Sequence, residues 1–293
     1  MSTPTALGFP GQGGDWRAAV RTLAAAPDHP LAQSLWAALG VGGTDDLDQR
    51  DTRLSQPVVF TAGLVALDRN PVAAEMAIGH SLGEITAACA TDMLDPVDGL
   101  RLVLRRAALG HEQQDARAGR MVAVMNLHAT EVEWIRRSIV AATEAVLDVA
   151  VINSPTQSVL SGDVEAAEEL IVRVEAQGGV ARALPIGGAY HSTLMTAAAE
   201  RFEAEVTATE RRDAAVGWVS GTSLTVVRDA ADLPRILARS LVLPVRWEAA
   251  LGLLVESGIT AGVDAGPGDT LVRLSRFAPA IPFTPLADAG TGS

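Results

Sequence analysis

The alternation of apolar and polar positions divides the chain into short strands and longer helices. An apolar run at residues 6–9 predicts a strand leading into a glycine-rich loop at 10–14, and a second run at 75–78 predicts another strand. Apolar residues at helical spacing predict helices over 56–68, 84–89, 96–114, 129–143, 164–176, 193–208, 233–241 and 247–256. Further strands are predicted over 121–125, 146–152, 158–161, 180–186 and 260–263. This mixture indicates an α/β protein.

The middle of the chain has its own order of predicted elements. Residues 119–186 follow the order β-α-β-β-α-β, which is the ferredoxin-like pattern. We therefore predict a small domain over 119–186, inserted into a larger domain made of residues 1–118 and 187–293. The larger domain is expected to be α/β-hydrolase-like, with a parallel sheet. A length of 293 residues suits one large domain with one smaller domain.

Composition argues against several classes of partner. The formal net charge of −12 disfavours nucleic acid or an anionic membrane as the main partner. The single cysteine, Cys89, allows no intrachain disulfide, and residues 1–8 lack the features of a signal peptide. No apolar stretch reaches the length of a membrane span. We therefore expect a cytoplasmic protein, and nothing in the sequence calls for a metal site.

The segment after the second predicted strand is a candidate nucleophile. Gly79-His80-Ser81-Leu82-Gly83 fits G-x-S-x-G, the pattern of a nucleophile elbow. A reactive serine must stand clear of its neighbours at a sharp strand-to-helix turn, and glycines on both sides let the backbone approach closely. The bare motif also occurs in plain turns. Here a predicted strand precedes it and a helical pattern follows it, and this context favours the elbow.

A serine nucleophile needs a base, which is usually a histidine. The chain has five histidines: His29, His80, His111, His128 and His191. The first is predicted to be solvated in a loop, the second to point away from the serine, and the next two to lie on polar surfaces. His191 follows a predicted strand and precedes a helix, so elimination favours it as the base. A structural role for it stays open at this point.

Seven short motifs carry a resemblance to a known family. In chain order they are Phe9-Pro10-Gly11-Gln12-Gly13, Gly79-His80-Ser81-Leu82-Gly83-Glu84, Arg106, Asn153-Ser154-Pro155, Tyr190-His191-Ser192 with Leu194-Met195, Pro244-Val245-Arg246-Trp247 and Gly266-Pro267-Gly268. Together they resemble the malonyl-CoA:acyl carrier protein transacylases, including the acyltransferase domains of polyketide synthases. The resemblance spans the chain from Phe9 to about Leu274.

The resemblance implies a role for each matching residue. Ser81 would be the nucleophile and His191 its base, oriented by backbone carbonyls. The backbone N–H groups of Leu82 and Gln12 would form the oxyanion hole. Arg106 lies where the family places the arginine that binds the malonyl carboxylate, and a planar guanidinium does bind a carboxylate bidentately. By composition alone, Arg106 would instead be read as one surface arginine in an arginine-rich helix.

Two further substrate-binding candidates follow from the same resemblance. Asn153 would lie near the floor of the site, although a turn-forming role explains it equally well. Tyr190 stands where relatives usually have Phe, so its hydroxyl could alter the acyl pocket. Asp15 and Arg246 depart from the simplest fatty-acid enzymes, and both departures favour secondary metabolism.

The expected function is transfer of an acyl group, malonyl in the first instance, from malonyl-CoA to the phosphopantetheine thiol of an acyl carrier protein. The enzyme itself would need no cofactor and would act as a monomer. Aminoacyl, peptidyl or starter acyl groups are alternative substrates, and an editing hydrolase of the same fold or an ordinary esterase is an alternative activity. A carrier protein with an acidic surface could dock on clustered arginines of the small domain, namely Arg136, Arg137 and Arg173.

Overall fold

The computed structural model describes residues 3–43, 47–276 and 281–289. The strands within these ranges are β1 Thr5–Phe9, β2 Met76–Gly79, β3 Gly119–Met125, β4 Leu147–Ser154, β5 Gln157–Asp163, β6 Val180–Ala183, β7 Trp218–Ser220, β8 Val226–Val227, β9 Val245–Arg246, β10 Ala261–Asp264 and β11 Phe283–Pro285. The α-helices are α1 Trp16–Ala24, α2 Pro30–Leu39, α3 Thr52–Arg69, α4 Gly83–Ala90, α5 Pro96–Ala116, α6 Ala129–Thr143, α7 Val164–Ala176, α8 Thr196–Ala208, α9 Leu233–Arg239, α10 Trp247–Glu256, α11 Thr270–Ser275 and α12 Leu286–Ala289. None of these helices combines the length and hydropathy needed to cross a bilayer.

The larger sheet has the order β11-β10-β1-β2-β7-β8. Its first five strands run parallel, as predicted, and β8 pairs antiparallel with β7 at the edge. The predicted parallel sheet therefore extends over five strands, and the antiparallel edge strand β8 was not predicted. Strand β8 returns after a tight turn, and a short connection of this kind can only join antiparallel neighbours. The buried residues of β1 and β2 form the centre of the main core.

The smaller sheet contains β6-β3-β5-β4 as antiparallel neighbours, with α6 and α7 connecting them in the predicted order. One face packs against α6 and α7 around its own aliphatic core, which includes Val122, Leu160 and Leu170. The opposite face belongs to the main core through residues such as Met121 and Val159. Successive side chains of a strand point to opposite faces, so one sheet serves both cores.

Strand β9 joins the smaller sheet although it lies far along the chain. It pairs parallel with β4, with Val245 opposite Val151 and Arg246 opposite Ile152. The sequence did not predict this strand, because two residues carry no periodicity. Its pairing ties the 241–247 segment, which follows α9, to the smaller sheet.

The predicted bounds hold best for long, strongly periodic elements. Helices α6, α7 and α10 have the predicted bounds, while β6 ends at Ala183, before the predicted residue 186. Helices α1 and α2 were not predicted. Side-chain caps determine where they begin: Asp15 accepts a hydrogen bond from the Ala18 N–H, and His29 accepts one from the Leu31 N–H.

Candidate active site

The predicted elbow is present between β2 and α4, and its serine has a strained backbone. Ser81 has φ of 56°, in the left-handed region that L-residues rarely adopt. The flanking glycines are required by packing. A Cβ on Gly79 would overlap the backbone of Glu84, and a Cβ on Gly83 would overlap the carbonyl oxygen of Phe9. The two glycines thus let α4 start directly behind the serine.

The structure brings Ser81 and His191 into direct contact. The Ser81 Oγ lies 2.6 Å from His191 Nε2, and the other ring nitrogen, Nδ1, lies 2.9 Å from the carbonyl oxygen of Leu243. The backbone N–H of His191 donates to the Leu241 carbonyl over 2.6 Å, and its φ is 60°. A donor at Nδ1 leaves Nε2 as the acceptor for the serine proton. His191 therefore has the geometry of a base, with carbonyls in the place of a triad carboxylate.

The environment keeps this imidazole neutral. Burial, followed by the positive charge of Arg106, lowers the pKa of His191 to about 3. At neutral pH the ring can therefore accept a proton. His80 is also buried, which lowers its pKa, and its Nε2 lies 3.1 Å from Oδ1 of Asn153. This contact faces His80 away from the serine, as predicted, and links the elbow to Asn153 on β4, which also lines the cavity.

Arg106 lies beside the serine and not on the surface. Only 2% of the residue is exposed, its Nη2 lies 3.3 Å from Ser81 Oγ, and its Nη1 donates to Gln56 Oε1 over 2.7 Å. The guanidinium carbon lies 4.5 Å from the centre of the Tyr190 ring, a cation–π distance. Among the residues that the structure describes, no carboxylate comes within ion-pair distance of this guanidinium. The alternative reading of Arg106 as a surface residue is wrong.

Gln56 is a site residue that the sequence reasoning did not identify. It is fully buried at the start of α3, and its amide bridges two predicted site residues. Its Oε1 accepts from Arg106, while its Nε2 donates to Gln12 Oε1 over 3.0 Å. Gln12 in turn donates to Ser55 Oγ over 2.8 Å. An amide among the apolar residues of the predicted helix 56–68 was the signal available in the sequence.

The loop that carries Gln12 lies directly against the elbow. A Cβ on Gly11 would lie 3.1 Å from the carbonyl oxygen of His80 and 3.5 Å from Cβ of Ser81. Within the described part of the chain, the backbone N–H groups of Gln12 and Leu82 donate to no protein acceptor. Both groups are therefore free to meet a developing oxyanion, as the resemblance implies.

Tyr190 is buried with its ring under Arg106. Its hydroxyl packs onto Gly110, where even one added methyl carbon would overlap the oxygen. This hydroxyl has no hydrogen-bond partner among the described residues, and burial raises its pKa. Tyr in place of Phe is thus accommodated by a glycine on α5.

Two sequence-based expectations about surface charge change with the structure. The Asp15 carboxylate caps α1, accepting from the Ala18 N–H over 3.0 Å, and does not line the cavity. Each of the three clustered arginines near the smaller sheet forms an ion pair, although two of them share one carboxylate. Arg136 and Arg137 pair with Glu133 at 2.7 and 2.6 Å, and Arg173 pairs with Glu169 at 2.7 Å. The cluster therefore does not form the free basic patch suggested above.

A cavity of about 280 Å³ opens next to the serine, between the two sheets. Apolar atoms make up most of its wall, with Val151, Val159 and Leu184 among the aliphatic contributors. The lining residues are Gly11, Gln12, Gly13, His80, Ser81, Arg106, Met121, Ala123, Val151, Asn153, Gln157, Val159, Leu184, Ile186, Tyr190, His191, Thr270, Leu271 and Leu274. A strained serine, a neutral histidine and free backbone donors beside an apolar cavity are typical of an enzyme that transfers acyl groups.

Comparison with known proteins gives the family. The family model for the acyl transferase domain matches residues 46–277, so the chain belongs to that family. The resemblance carried by the motifs is thereby confirmed, and the chain is an acyltransferase.

Individual relatives cover nearly all of the chain. The malonyl CoA-acyl carrier protein transacylase of Bacillus subtilis (strain 168) is 28% identical over 281 residues, which are 91% of this chain and 87% of that protein. The crystal structure of FabD from Acinetobacter baumannii superposes with a TM-score of 0.86 at 26% identity and covers 100% of both chains. The polyketide synthase GfsE of Streptomyces halstedii is 34% identical over 92% of this chain, a segment that is 7% of the synthase. The mixed α/β fold with two sheets therefore matches that of solved transacylases.

Proposed function

We propose that this chain transfers malonyl from malonyl-CoA to the phosphopantetheine thiol of an acyl carrier protein, through an ester on Ser81. The choice of malonyl as the substrate depends on the buried guanidinium of Arg106. It lies 3.3 Å from Ser81 Oγ and has no carboxylate partner among the described residues. Leaving a charge buried and unpaired is costly, so an anionic group of the substrate is the natural partner. A malonyl group places a carboxylate two bonds from the thioester carbonyl, which suits this separation.

Ser81, His191 and the two backbone donors divide the first half-reaction between them. His191 Nε2 takes the proton of Ser81 Oγ as the oxygen attacks the thioester carbonyl. The N–H groups of Gln12 and Leu82 stabilise the oxyanion, and the thiol of CoA leaves with the proton from His191. Arg106 holds the free carboxylate, while Gln56 fixes the opposite edge of its guanidinium.

The second half-reaction repeats these steps in reverse. The carrier thiol gives its proton to His191 as its sulfur attacks the Ser81 ester, and Ser81 Oγ leaves with that proton. The acyl group ends as a thioester on the carrier, and the free enzyme is restored. The largely apolar wall of the cavity disfavours water as the acceptor, which supports a transferase over an editing hydrolase or an esterase.

The proposal extends to the pathway, the oligomeric state, the cellular location and the domain division of the protein. We infer a role in polyketide or related secondary metabolism, supported by the similarity to a segment of a polyketide synthase. The chain would act as a monomer in the cytoplasm. In fold terms, residues 119–186 would be a ferredoxin-like domain inserted into an α/β-hydrolase-like domain formed by 1–118 and 187–293. The predicted order of strands and helices within 119–186 supports this division.

Intact-protein mass spectrometry tests the reaction directly. The protein is incubated with malonyl-, methylmalonyl-, acetyl- and aminoacyl-thioesters of CoA and of a holo acyl carrier protein. The expected result is a malonyl adduct on wild type that is absent from Ser81→Ala and is discharged by a holo carrier. Retention of another acyl group without malonyl would refute the substrate and keep the mechanism. Rapid release of free malonate without transfer would indicate a hydrolase.

A further inference from the structure

Glu84 is a buried carboxylate that the proposed reaction does not use. It lies on α4, one helical turn after Ser81, and none of its surface is exposed. Its Oε1 accepts from Ser220 Oγ, from the Thr222 N–H and from Thr222 Oγ1, each over 3.0 Å. A carboxylate in the interior is expensive unless such donors satisfy it. The arrangement therefore calls for an explanation beyond packing.

The donors belong to a loop that links two parts of the active site. Residues 220–222 begin at the last residue of β7, and the carbonyl of Gly221 accepts a hydrogen bond from the Arg246 N–H over 2.8 Å. Gly221 has little free space: a Cβ there would lie 3.1 Å from Val245 Cγ1 and 3.2 Å from the carbonyl oxygen of Gly79. The loop is thus held between the strand that leads to the elbow and strand β9.

Strand β9 continues a segment that orients the base. Two residues before Val245, the carbonyl of Leu243 accepts from His191 Nδ1 over 2.9 Å, and the carbonyl of Leu241 accepts from the His191 N–H. No carboxylate touches the His191 ring within the described residues, so its orientation depends on where these carbonyls lie. A displacement of about 1 Å at such a base can cost about 100-fold in rate.

We propose that Glu84 is a positioning residue for His191, acting through the 220–222 loop and the Leu243 carbonyl. Helix α4, which begins directly behind the nucleophile, then carries in its first turn the group that fixes where the base stands. Hydrogen bonds and short backbone segments together close a ring. It runs from Ser81 to Glu84, across the 220–222 loop to β9, and back through Leu243 and His191 to Ser81. This inference rests on the proposed acyl-transfer function, because positioning matters only if Ser81 and His191 react.

The electrostatics of the site fit this role. Burial raises the pKa of Glu84 to about 7, against the lowering effect of its donors and of the Arg106 charge. Arg106 is the charged neighbour that α5 presents, and Arg246 approaches from β9 with its Nη2 3.5 Å from the Thr222 carbonyl. The hydrogen bonds themselves need only an acceptor oxygen at the Oε1 position, which a glutamine can also supply.

Three variants separate positioning from general stability. Glu84→Leu removes the acceptors at similar volume, Glu84→Gln keeps one oxygen, and Thr222→Val removes one donor without changing shape. Asp163→Ala is the control, since Asp163 is a buried carboxylate at the end of β5 that accepts from the Val146 N–H and from Arg117, away from His191. Thermal unfolding of each variant gives the folded fraction to which rates are normalised.

The readouts are the rate of Ser81 modification by phenylmethylsulfonyl fluoride, the malonyl transfer rate, and the proton NMR signal of His191 Nδ1–H. We expect Glu84→Leu to lower both rates about 100-fold per folded molecule and to shift the NMR signal. Glu84→Gln should stay within about threefold of wild type, and Asp163→Ala should leave rates and signal unchanged. If Glu84→Leu does not fold, Thr222→Val should still lower both rates about fivefold and shift the signal.

Other outcomes overturn the inference. Normal rates per folded molecule in Glu84→Leu and Thr222→Val, with an unshifted signal, would make Glu84 purely structural. A loss in Glu84→Gln as large as that in Glu84→Leu would mean that the charge acts and not the hydrogen bonds. Failure of the proposed function has a different signature: wild type reacts with the sulfonyl fluoride, yet no thioester acylates Ser81.

Discussion

The two sheets of this protein are surrounded by different kinds of side chain. The smaller sheet and its helices bury an aliphatic core, and the charges on α6 and α7 form ion pairs at the surface. The larger sheet ends at a site with a left-handed serine and several buried ionisable side chains, namely Glu84, Arg106 and His191. Backbone strain and buried charge are both unfavourable, and here they occur together where the acyl group would react.

This difference indicates which region tolerates change. On the outer surface of α6 and α7 the charged residues contribute through exposed ion pairs, so the loss of one is local and modest. Around Ser81 the residues form one connected set, in which Gln56 links Arg106 to Gln12 and the Glu84 loop leads to His191. Removing one member leaves another charged or polar group buried without a partner.

The largest expected effect is on substrate choice at Arg106. Arg106→Ala should lower kcat/KM for malonyl transfer about 1,000-fold, roughly 4 kcal/mol. The substitution removes the group that pairs with the carboxylate of the bound malonyl substrate. Acetyl transfer should be unchanged or faster. The check is single-turnover acylation with malonyl-CoA and acetyl-CoA side by side. Equal losses for both substrates would show that Arg106 supports the fold and does not bind a carboxylate.

Substitution of one glycine at the elbow and one after α7 compares the backbone requirements of the two regions. Gly83→Ala should destabilise folding by about 3 kcal/mol or more, since its Cβ would overlap the Phe9 carbonyl oxygen in the large-domain core. Gly178→Ala, at φ +80° in open space after α7, should cost only about 1 kcal/mol from backbone strain. Urea unfolding of both variants measures the difference. Similar costs would contradict the view that packing limits the elbow.

The third prediction concerns pH. The pKa of Glu84 is raised to about 7 by burial, so the folded protein keeps a proton that the unfolded chain has released. Its contribution to stability is therefore full at acid pH and is lost as pH rises towards 7. Between pH 5 and 8 this should remove roughly 2 to 3 kcal/mol relative to Glu84→Gln, in which the group cannot titrate.

Denaturant midpoints of wild type and Glu84→Gln across that range test the third prediction. The difference between the two proteins is the relevant quantity, because His191 titrates in both. The pKa of His191 is lowered to about 3 in the folded protein, so this residue destabilises the fold as pH falls below the ordinary pKa of a histidine. The effect is present in both proteins and cancels in the comparison. A difference that does not vary with pH would show that Glu84 stays in one protonation state.

The smallest effect is expected on the surface of the smaller domain. Arg137→Ala breaks an exposed pair with Glu133 at 2.6 Å, and Glu133 keeps its other partner, Arg136. Stability should change by no more than about 0.5 kcal/mol, measured by thermal unfolding. Malonyl transfer to a holo carrier protein should also be unchanged, because every arginine of the cluster is already engaged in an ion pair. A marked rise in KM for the carrier protein would show that the arginine cluster is a docking surface after all.

The chain itself determined much of the architecture. Periodicity gave the bounds of α6, α7 and α10, because long amphipathic helices repeat their signal over several turns. The G-x-S-x-G motif identified the elbow because its glycines answer a local steric need. Short elements such as β9 carry no such repeat. Helix α1 does carry one, with Trp16, Ala19 and Leu23 on its inner face, although it was not predicted from the sequence.

Tertiary structure decided which of these residues meet. Elimination among the histidines favoured His191, yet only the fold brings it 2.6 Å from Ser81, across 110 positions of sequence. The same holds for Gln56, whose role depends on a contact with Arg106 fifty positions away, and for Glu84, which acts through a loop more than 130 positions later. Local sequence fixes backbone shape through sterics and hydrogen bonding within a few residues. Burial, charge pairing and the orientation of a base arise only when distant segments pack together.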